Sequence, residues 1–192
     1  PHLSALLQRF LSSEDITPQL ERCPAAKGLH HAYLGGLVEH ILGCLYMARN
    51  ACKVHKALDR SLVYAGIVLH DIGKIQELSV TTHIDYSVPG RLVGHVVLGY
   101  QWVMAEADAL EDFPEETRMQ LGHIILSHHG QHEFGAPVLP MTPEAIAVHF
   151  IENADAQTNR YLSAVGEARE DDQDFTSFDR LLGRHLYARP RT

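Results

Sequence analysis

Apolar and polar positions alternate with a helical period along most of the chain. Leu34, Leu37, Val38, Ile41, Leu42 and Leu45 recur at helical spacing with Glu39 opposite, which predicts an amphipathic helix. His40 lies at the flank of that apolar arc, where a side chain can point into a cleft. Residues 62–69 are apolar all round and read as a buried helix, with Gly73 as its stop. Residues 81–87 have strand-like composition and read as a short strand or extended loop, closed by Pro89 and Gly90. A helix from about Leu92 carries His95 on its first turns, and Phe113-Pro114 marks a turn before an acidic helix start at Glu115 and Glu116. In that helix Leu121, Ile124, Ile125 and His128 share one stripe, and Gly130 ends it. Thr142 and Pro143 supply an N-cap and a first-position proline, after which Val148, Ile151 and Asp155 lie on one side. Residues 167–174 read as an acidic, solvated bend before a last helix holding Leu181, Leu182 and Leu186. The pattern predicts an all-α bundle with at most a short β-hairpin or extended loop near 80–88.

With 192 residues, 45% of them hydrophobic and 21% charged, the chain has the size and balance of one soluble globular domain. There is no internal repeat, no apolar run near the roughly 18 residues of a membrane span, and no signal-peptide pattern. A net charge of −8 argues against a broad basic footprint for nucleic acid. It leaves room for a nucleic-acid end held by metals inside a pocket. Cys23, Cys44 and Cys52 form no Cys-x-x-Cys pair and read as free thiols of a reducing cytoplasm. The first residue is Pro1 rather than Met, which points to a processed form or a fragment of something longer.

Histidine changes the picture: there are 14, against 16 Lys plus Arg. His40, His70, Asp71, His95, His128, His129 and Asp155 are spread over more than half of the chain, so no local zinc-finger loop explains them. Each buried imidazole would need its own partner, whereas one metal centre would satisfy them all, with Asp71 and Asp155 supplying negative charge. The His70-Asp71 pair ends a buried helix, where it must either be hydrogen-bonded or coordinate an ion. Such ligands suit Mn, Fe, Zn, Co and Ni alike. His123 points away from the Leu121/Ile125 face, and His2, His55, His132, His149 and His185 have no supporting context. His30 and His31 either line the entrance to the site or cap the helix that follows.

The ordered series, with Pro24-Ala-Ala-Lys27, the run 30–40, His70-Asp-Ile-Gly-Lys74, Gly94-His95, Ser127-His-His-Gly130, the run 133–137 and Asn153-Ala-Asp155, resembles the HD superfamily of metal-dependent phosphohydrolases. Within it, the chain is most similar to the HD domain of YhaM-type 3′-5′ exoribonucleases. The resemblance implies a single HD-type domain with its core over about 24–161. It implies one divalent metal on His40, His70, Asp71 and Asp155, and a second on His95, His128 and His129 with Asp71 bridging. One or two ions per chain are expected, Mn or Fe being favoured. The implied activity is hydrolysis of phosphodiester bonds at an RNA or DNA 3′ end, releasing nucleoside 5′-monophosphates. Asp71 would hold the attacking hydroxide, and Lys74 would bind the scissile phosphate or the leaving oxygen. Without the resemblance, Lys74 reads equally as neutralising the carbonyl end of its helix. Asn153 and Arg160 are further candidates for contacting phosphate or base.

YhaM-type enzymes resemble a fusion of an N-terminal OB domain to this domain, and no such barrel precedes Leu3. That leaves a truncated chain, or a stand-alone relative with a smaller substrate. The expected partner is therefore a single-stranded RNA or DNA 3′ end or a small nucleotide, with no membrane and with a homo-oligomer left open. A phosphatase or phosphodiesterase of small nucleotides is the alternative within the class. Cyclic dinucleotides fit less well, because residues 131–137 lack a Gly-Tyr-Pro run. A non-catalytic, metal-stabilised regulatory module is the alternative from another class, and the intact ligand set argues against it.

Overall fold

The computed structural model describes residues 1–27, 33–171, 173–180 and 182–189. Its helices are α1 (His2–Leu11), α2 (Thr17–Arg22), α3 (Gly36–Val54), α4 (Arg60–Leu69), α5 (Lys74–Glu77), α6 (Val88–Leu92), α7 (His95–Asp108), α8 (Glu115–Ser127) and α9 (Pro143–Glu170). Between α5 and α6 lies an antiparallel hairpin of β1 (Leu78–Val80) and β2 (Ile84–Tyr86), with Leu78 opposite Tyr86 and Val80 opposite Ile84. The fold is all-α with one short hairpin, as the residue pattern predicts.

Helix α4 is the axis. It packs against α1, α3, α8 and α9, and Leu62, Val63, Ala65, Ile67, Val68 and Leu69 are all buried. They join Leu37, Ile41 and Cys44 of α3, Leu121, Ile124 and Ile125 of α8, and Val148 and Ile151 of α9 in one core, with Leu6 and Phe10 of α1. Full burial of each large aliphatic or aromatic side chain contributes ~1.5–3 kcal/mol. Val103, Met104 and Ala107 of α7 belong to the same core, which is therefore the main term holding all five site-bearing helices in register. The starts of two of them are capped. The Asp59 carboxylate accepts from Ser61 N and Leu62 N, and Thr142 Oγ1 accepts from Ala145 N.

Four expectations are revised. Gly73 has an ordinary right-handed φ of −62° and is no helix stop. It is glycine for proximity: a Cβ there would lie 2.1 Å from His95 O and 2.6 Å from Gly99 N, so this turn meets α7 backbone to backbone. Helix α7 begins at His95 rather than near Leu92, because Ser87 caps a separate short helix and Gly94 turns the chain at φ +79°. The apolar arc of α3 is narrower than its composition suggests: Leu37 and Ile41 are buried, whereas Leu34 and Leu42 are 57% and 50% exposed.

The largest revision is at the C-terminus. Helix α9 continues to Glu170, and among the described residues no helix follows it. The chain turns at Gly183 (φ +64°) and folds back, burying Leu186 and Ala188 against Val165 and Ala168. Arg160 donates to both carboxylate oxygens of Asp179 at 2.8 and 3.0 Å, which ties this strap to α9. Leucines spaced like a helix are thus satisfied by docking onto another helix. Leu181 falls outside the described residues, as do His30 and His31. Among the described residues no helix is long and apolar enough to cross a membrane.

Candidate metal centre

Five helices bring six of the seven predicted ligands to one place, with Asp155 beside His40. His40 is on α3, His70 caps the C-terminus of α4 with Asp71 next, and His95 opens α7. His128 caps α8 with His129 next, and Asp155 lies in α9. His40, His70, Asp71 and His128 are almost completely buried.

The hydrogen bonds fix the imidazole tautomers. His70 Nδ1–H donates to Ile67 O at 2.7 Å, and His128 Nδ1–H donates to Ile125 O at 2.7 Å. A carbonyl has no proton to give, so each Nδ1 must carry one, and in the neutral ring Nε2 keeps its lone pair. The same device serves both helix ends: a histidine at the C-cap folds back on the carbonyl three residues earlier. His40 Nδ1–H donates to Asp155 Oδ2 at 2.7 Å, and His95 Nδ1–H donates to Glu77 Oε1 at 2.9 Å. Histidine ligands of metals are commonly oriented this way, one nitrogen tied back and the other presented.

The presented atoms converge on Asp71. Its Oδ2 accepts from Lys74 Nζ at 2.6 Å and lies 3.4 Å from His70 Nε2. Its Oδ1 lies 3.3 Å from His95 Nε2 and 3.6 Å from His128 Nε2. His40 Nε2 faces His70 Nε2 at 3.4 Å, and His95 Nε2 faces His129 Nε2 at 3.3 Å. His95, His128 and His129 thus offer atoms all within 4.8 Å of one another, and so do His40, His70 and Asp71. Asp155 groups at that distance with His40 and Cys44 rather than with His70 and Asp71.

These residues fit a divalent cation. Among the described residues, the buried side-chain atoms without a hydrogen-bond partner are Thr17 Oγ1, Asp71 Oδ1, His128 Nε2 and His129 Nδ1, three of the four in this centre. An unsatisfied buried acceptor costs about 1–3 kcal/mol, so Asp71 Oδ1 and His128 Nε2, 3.6 Å apart, call for a shared electrophile. His40 Nε2 and His70 Nε2, 3.4 Å apart, point to the same place.

Charge is arranged to match. Burial would raise Asp71, but Lys74 and His70 outweigh it and hold the carboxyl well below the usual range. Burial would lower Lys74, and the Asp71 charge overrides that, so the ammonium is kept. Burial pushes His128 down to about 4 and, with His128 and His95 alongside, His129 down to about 2. Both are neutral at physiological pH, the form that binds metal.

That has a consequence for stability. An unfolded imidazole titrates near 6.5, so between roughly pH 6.5 and 4 the unfolded chain binds about two protons that folded His128 and His129 refuse. Stability therefore falls with pH in this window. His70, raised because Asp71 outweighs its burial, contributes above 6.5, whereas Glu152, pushed up to about 7, takes a proton in the folded state from about pH 7 down to 4.5 and offsets roughly one of the two. Chelator-treated protein should show a melting temperature that drops between pH 6 and pH 5. A flat profile would contradict the assigned neutral pair.

Some functional neighbours were not read from the residues. Glu77 orients His95. His149 is buried and donates through Nδ1 to His128 O at 2.7 Å, pinning the turn that carries both α8 ligands. Gly130 (φ +77°) packs on that ring, with a Cβ there only 2.1 Å from His149 Cε1. Cys44 Sγ lies 3.8 Å from both His40 nitrogens. Burial pushes Glu152, three residues before Asp155, up to about 7. Position along the helix is the only trace of these in the sequence. The Lys74 side chain is buried on Asp71, and Arg160 is engaged by Asp179.

The HD domain family model matches residues 37–157, and the chain belongs to that family. Among curated proteins it is similar to the 3′-5′ exoribonuclease YhaM of Bacillus licheniformis, 41% identical over 136 residues, which are 71% of this chain and 43% of that protein. The YhaM of Bacillus subtilis is 41% identical over the same shares. That of Shouchella clausii is 38% identical over 159 residues, 83% of this chain and 49% of the relative. The chain thus spans less than half the length of these relatives. No solved structure matches it significantly.

Proposed function

We propose that this chain is a metal-dependent phosphohydrolase that cleaves phosphodiester bonds, acting as a 3′-5′ exoribonuclease-like nuclease. The observation that carries the reading is the pair of unpartnered buried atoms on Asp71 and His128 at a point where five helices deliver imidazole and carboxylate. In this reading His40, His70, Asp71 and Asp155 would hold one divalent ion, and His95, His128 and His129, with Asp71, would hold a second. Divalent ions in such a site lower the pKa of water and neutralise phosphoryl oxygens. Mn or Fe is the ion we favour.

The protein's own part is placement. Asp71 faces both histidine groups with different oxygens, as a shared ligand must. Lys74 holds one of those oxygens and adds a fixed positive charge beside the place where the scissile phosphate would sit. His40 takes a proton-accepting partner in Asp155, which keeps its other nitrogen free for the centre. The names of the relatives favour an RNA 3′ end over a mononucleotide. The three free thiols, Cys23 and Cys44 buried among them, suit a reducing cytoplasm.

The test is a Mn²⁺-loaded assay of a 5′-labelled single-stranded oligonucleotide beside a panel of mononucleotides. The expected result is a ladder of products shortening from the 3′ end with release of nucleoside 5′-monophosphates. Phosphate release from mononucleotides alone would replace this substrate with a small nucleotide. No turnover of either at full metal occupancy would leave a metal-stabilised regulatory module.

A further inference from the structure

His95 differs from the other oriented histidines in where it stands. His70 and His128 sit at helix C-termini, so a preceding turn supplies a carbonyl for Nδ1–H. His95 is the first residue of α7, preceded by Gly94, and has no preceding helical turn of its own. Its orienting acceptor must come from elsewhere in the fold. Glu77, the last residue of α5, supplies it. One oxygen of this carboxylate, whose side chain is 11% exposed, accepts both the ring Nδ1–H and the backbone N–H of His95, each at 2.9 Å.

We infer that Glu77 is the positioning residue of the second metal sub-site. It selects the Nδ1–H tautomer of His95, aims Nε2 at Asp71 and His129, and thereby sets the affinity of that sub-site for a divalent ion. The inference rests on the metal-centre reading proposed above. Three observations support it. The Glu77 backbone is itself clamped: its carbonyl accepts from Ser87 N at 2.8 Å, and a Cβ on Gly90 would lie 2.2 Å from the same oxygen. The hairpin between them returns the chain so that Ser87 and Gly90 close on Glu77. The carboxylate also takes the place of a helix cap, since Gly94 has no side chain to offer the start of α7 and a negative charge there is favourable. Finally, the same carboxylate oxygen holds both the ring and the backbone of His95, so ring orientation and helix start are set together. A carboxylate acceptor also raises the basicity of the opposite ring nitrogen.

The experiment compares the full chain with Glu77→Gln and Glu77→Ala. Side-chain ¹H–¹⁵N spectra of chelator-treated protein read the His95 tautomer, and calorimetric titration with Mn²⁺ reads the two ions separately. The wild type should show His95 protonated on Nδ1 and two binding events. In Glu77→Ala the tautomer becomes mixed and the affinity for one ion falls by about 10–100-fold while the other is unchanged. Glu77→Gln keeps an acceptor, so it should hold the tautomer and lose less. A wild-type His95 not protonated on Nδ1, an alanine variant whose two affinities stay within about twofold of wild type, or equal loss of both ions in both variants overturns the inference. A wild type that binds one ion overturns it too, while leaving a one-metal hydrolase intact. Two ions with the expected Glu77 effect but no nucleotide hydrolysis would instead remove the functional reading and keep this one.

Discussion

Replacing Asp71 with alanine is expected to abolish phosphodiester hydrolysis and divalent-ion retention, and to destabilise the fold by about 3–5 kcal/mol. Asp71 is 2% exposed and is the meeting point of His70, His95, His128 and Lys74. Without it the His95, His128 and His129 group has no carboxylate to balance an ion's charge, and the His40 and His70 group keeps only Asp155. The stability loss has a separate origin, because the Lys74 ammonium, 8% exposed, is left buried without its counter-charge. The two effects can be separated. Asp71→Leu combined with Lys74→Met removes both charges and should recover most of the stability with none of the metal or activity. Urea melts and elemental analysis of the purified variants measure the two losses. Normal turnover in Asp71→Ala would sink the hydrolase assignment.

The second large effect concerns a residue that touches no ligand side chain. Gly73→Ala is expected to destabilise the protein by at least the ~1–3 kcal/mol typical of overpacking and to weaken metal binding on the His95 side. The new methyl would lie 2.1 Å from His95 O, 2.6 Å from Gly99 N and 2.9 Å from Gly99 Cα. All three are backbone atoms, so no rotamer change relieves the clash. The N-terminal turn of α7 must move, and His95 moves with it. Gly166→Ala is the control: nothing lies within 4 Å of a Cβ there, and alanine favours a helix by up to about 1 kcal/mol over glycine. Equal stability of Gly73→Ala and wild type would refute the backbone contact between the α4–α5 turn and α7.

Much of this was legible in the residues. Leu121, Ile124, Ile125 and His128 declare a helix and its inward face within two turns, because helical period is a property of the local backbone. Asp59 and Thr142 cap the helices that follow them through bonds spanning two or three residues. Seven histidines and aspartates at the ends or on the inner faces of apolar segments were conspicuous because such groups are rarely buried without a partner. The last predicted helix failed for the converse reason. Leu182 and Leu186 have a local spacing that fits a helix, but Gly183 turns the chain and the strap docks on α9.

By itself, then, the sequence determined α3, α4, α7, α8 and α9 apart from their ends, most of their inward faces, and the seven residues worth suspecting. Tertiary structure alone decided which nitrogen His40 and His95 present, and that Asp71 faces two groups while Asp155 sits behind His40. It also decided that Glu77 and His149 belong to the site and that Gly73 is a contact rather than a stop. The physical reason is one of range. Periodicity and capping are settled by atoms a few residues apart, whereas these pairings join atoms 18 to 115 residues apart along the chain. Those distances close only after the core around α4 has set how the helices cross.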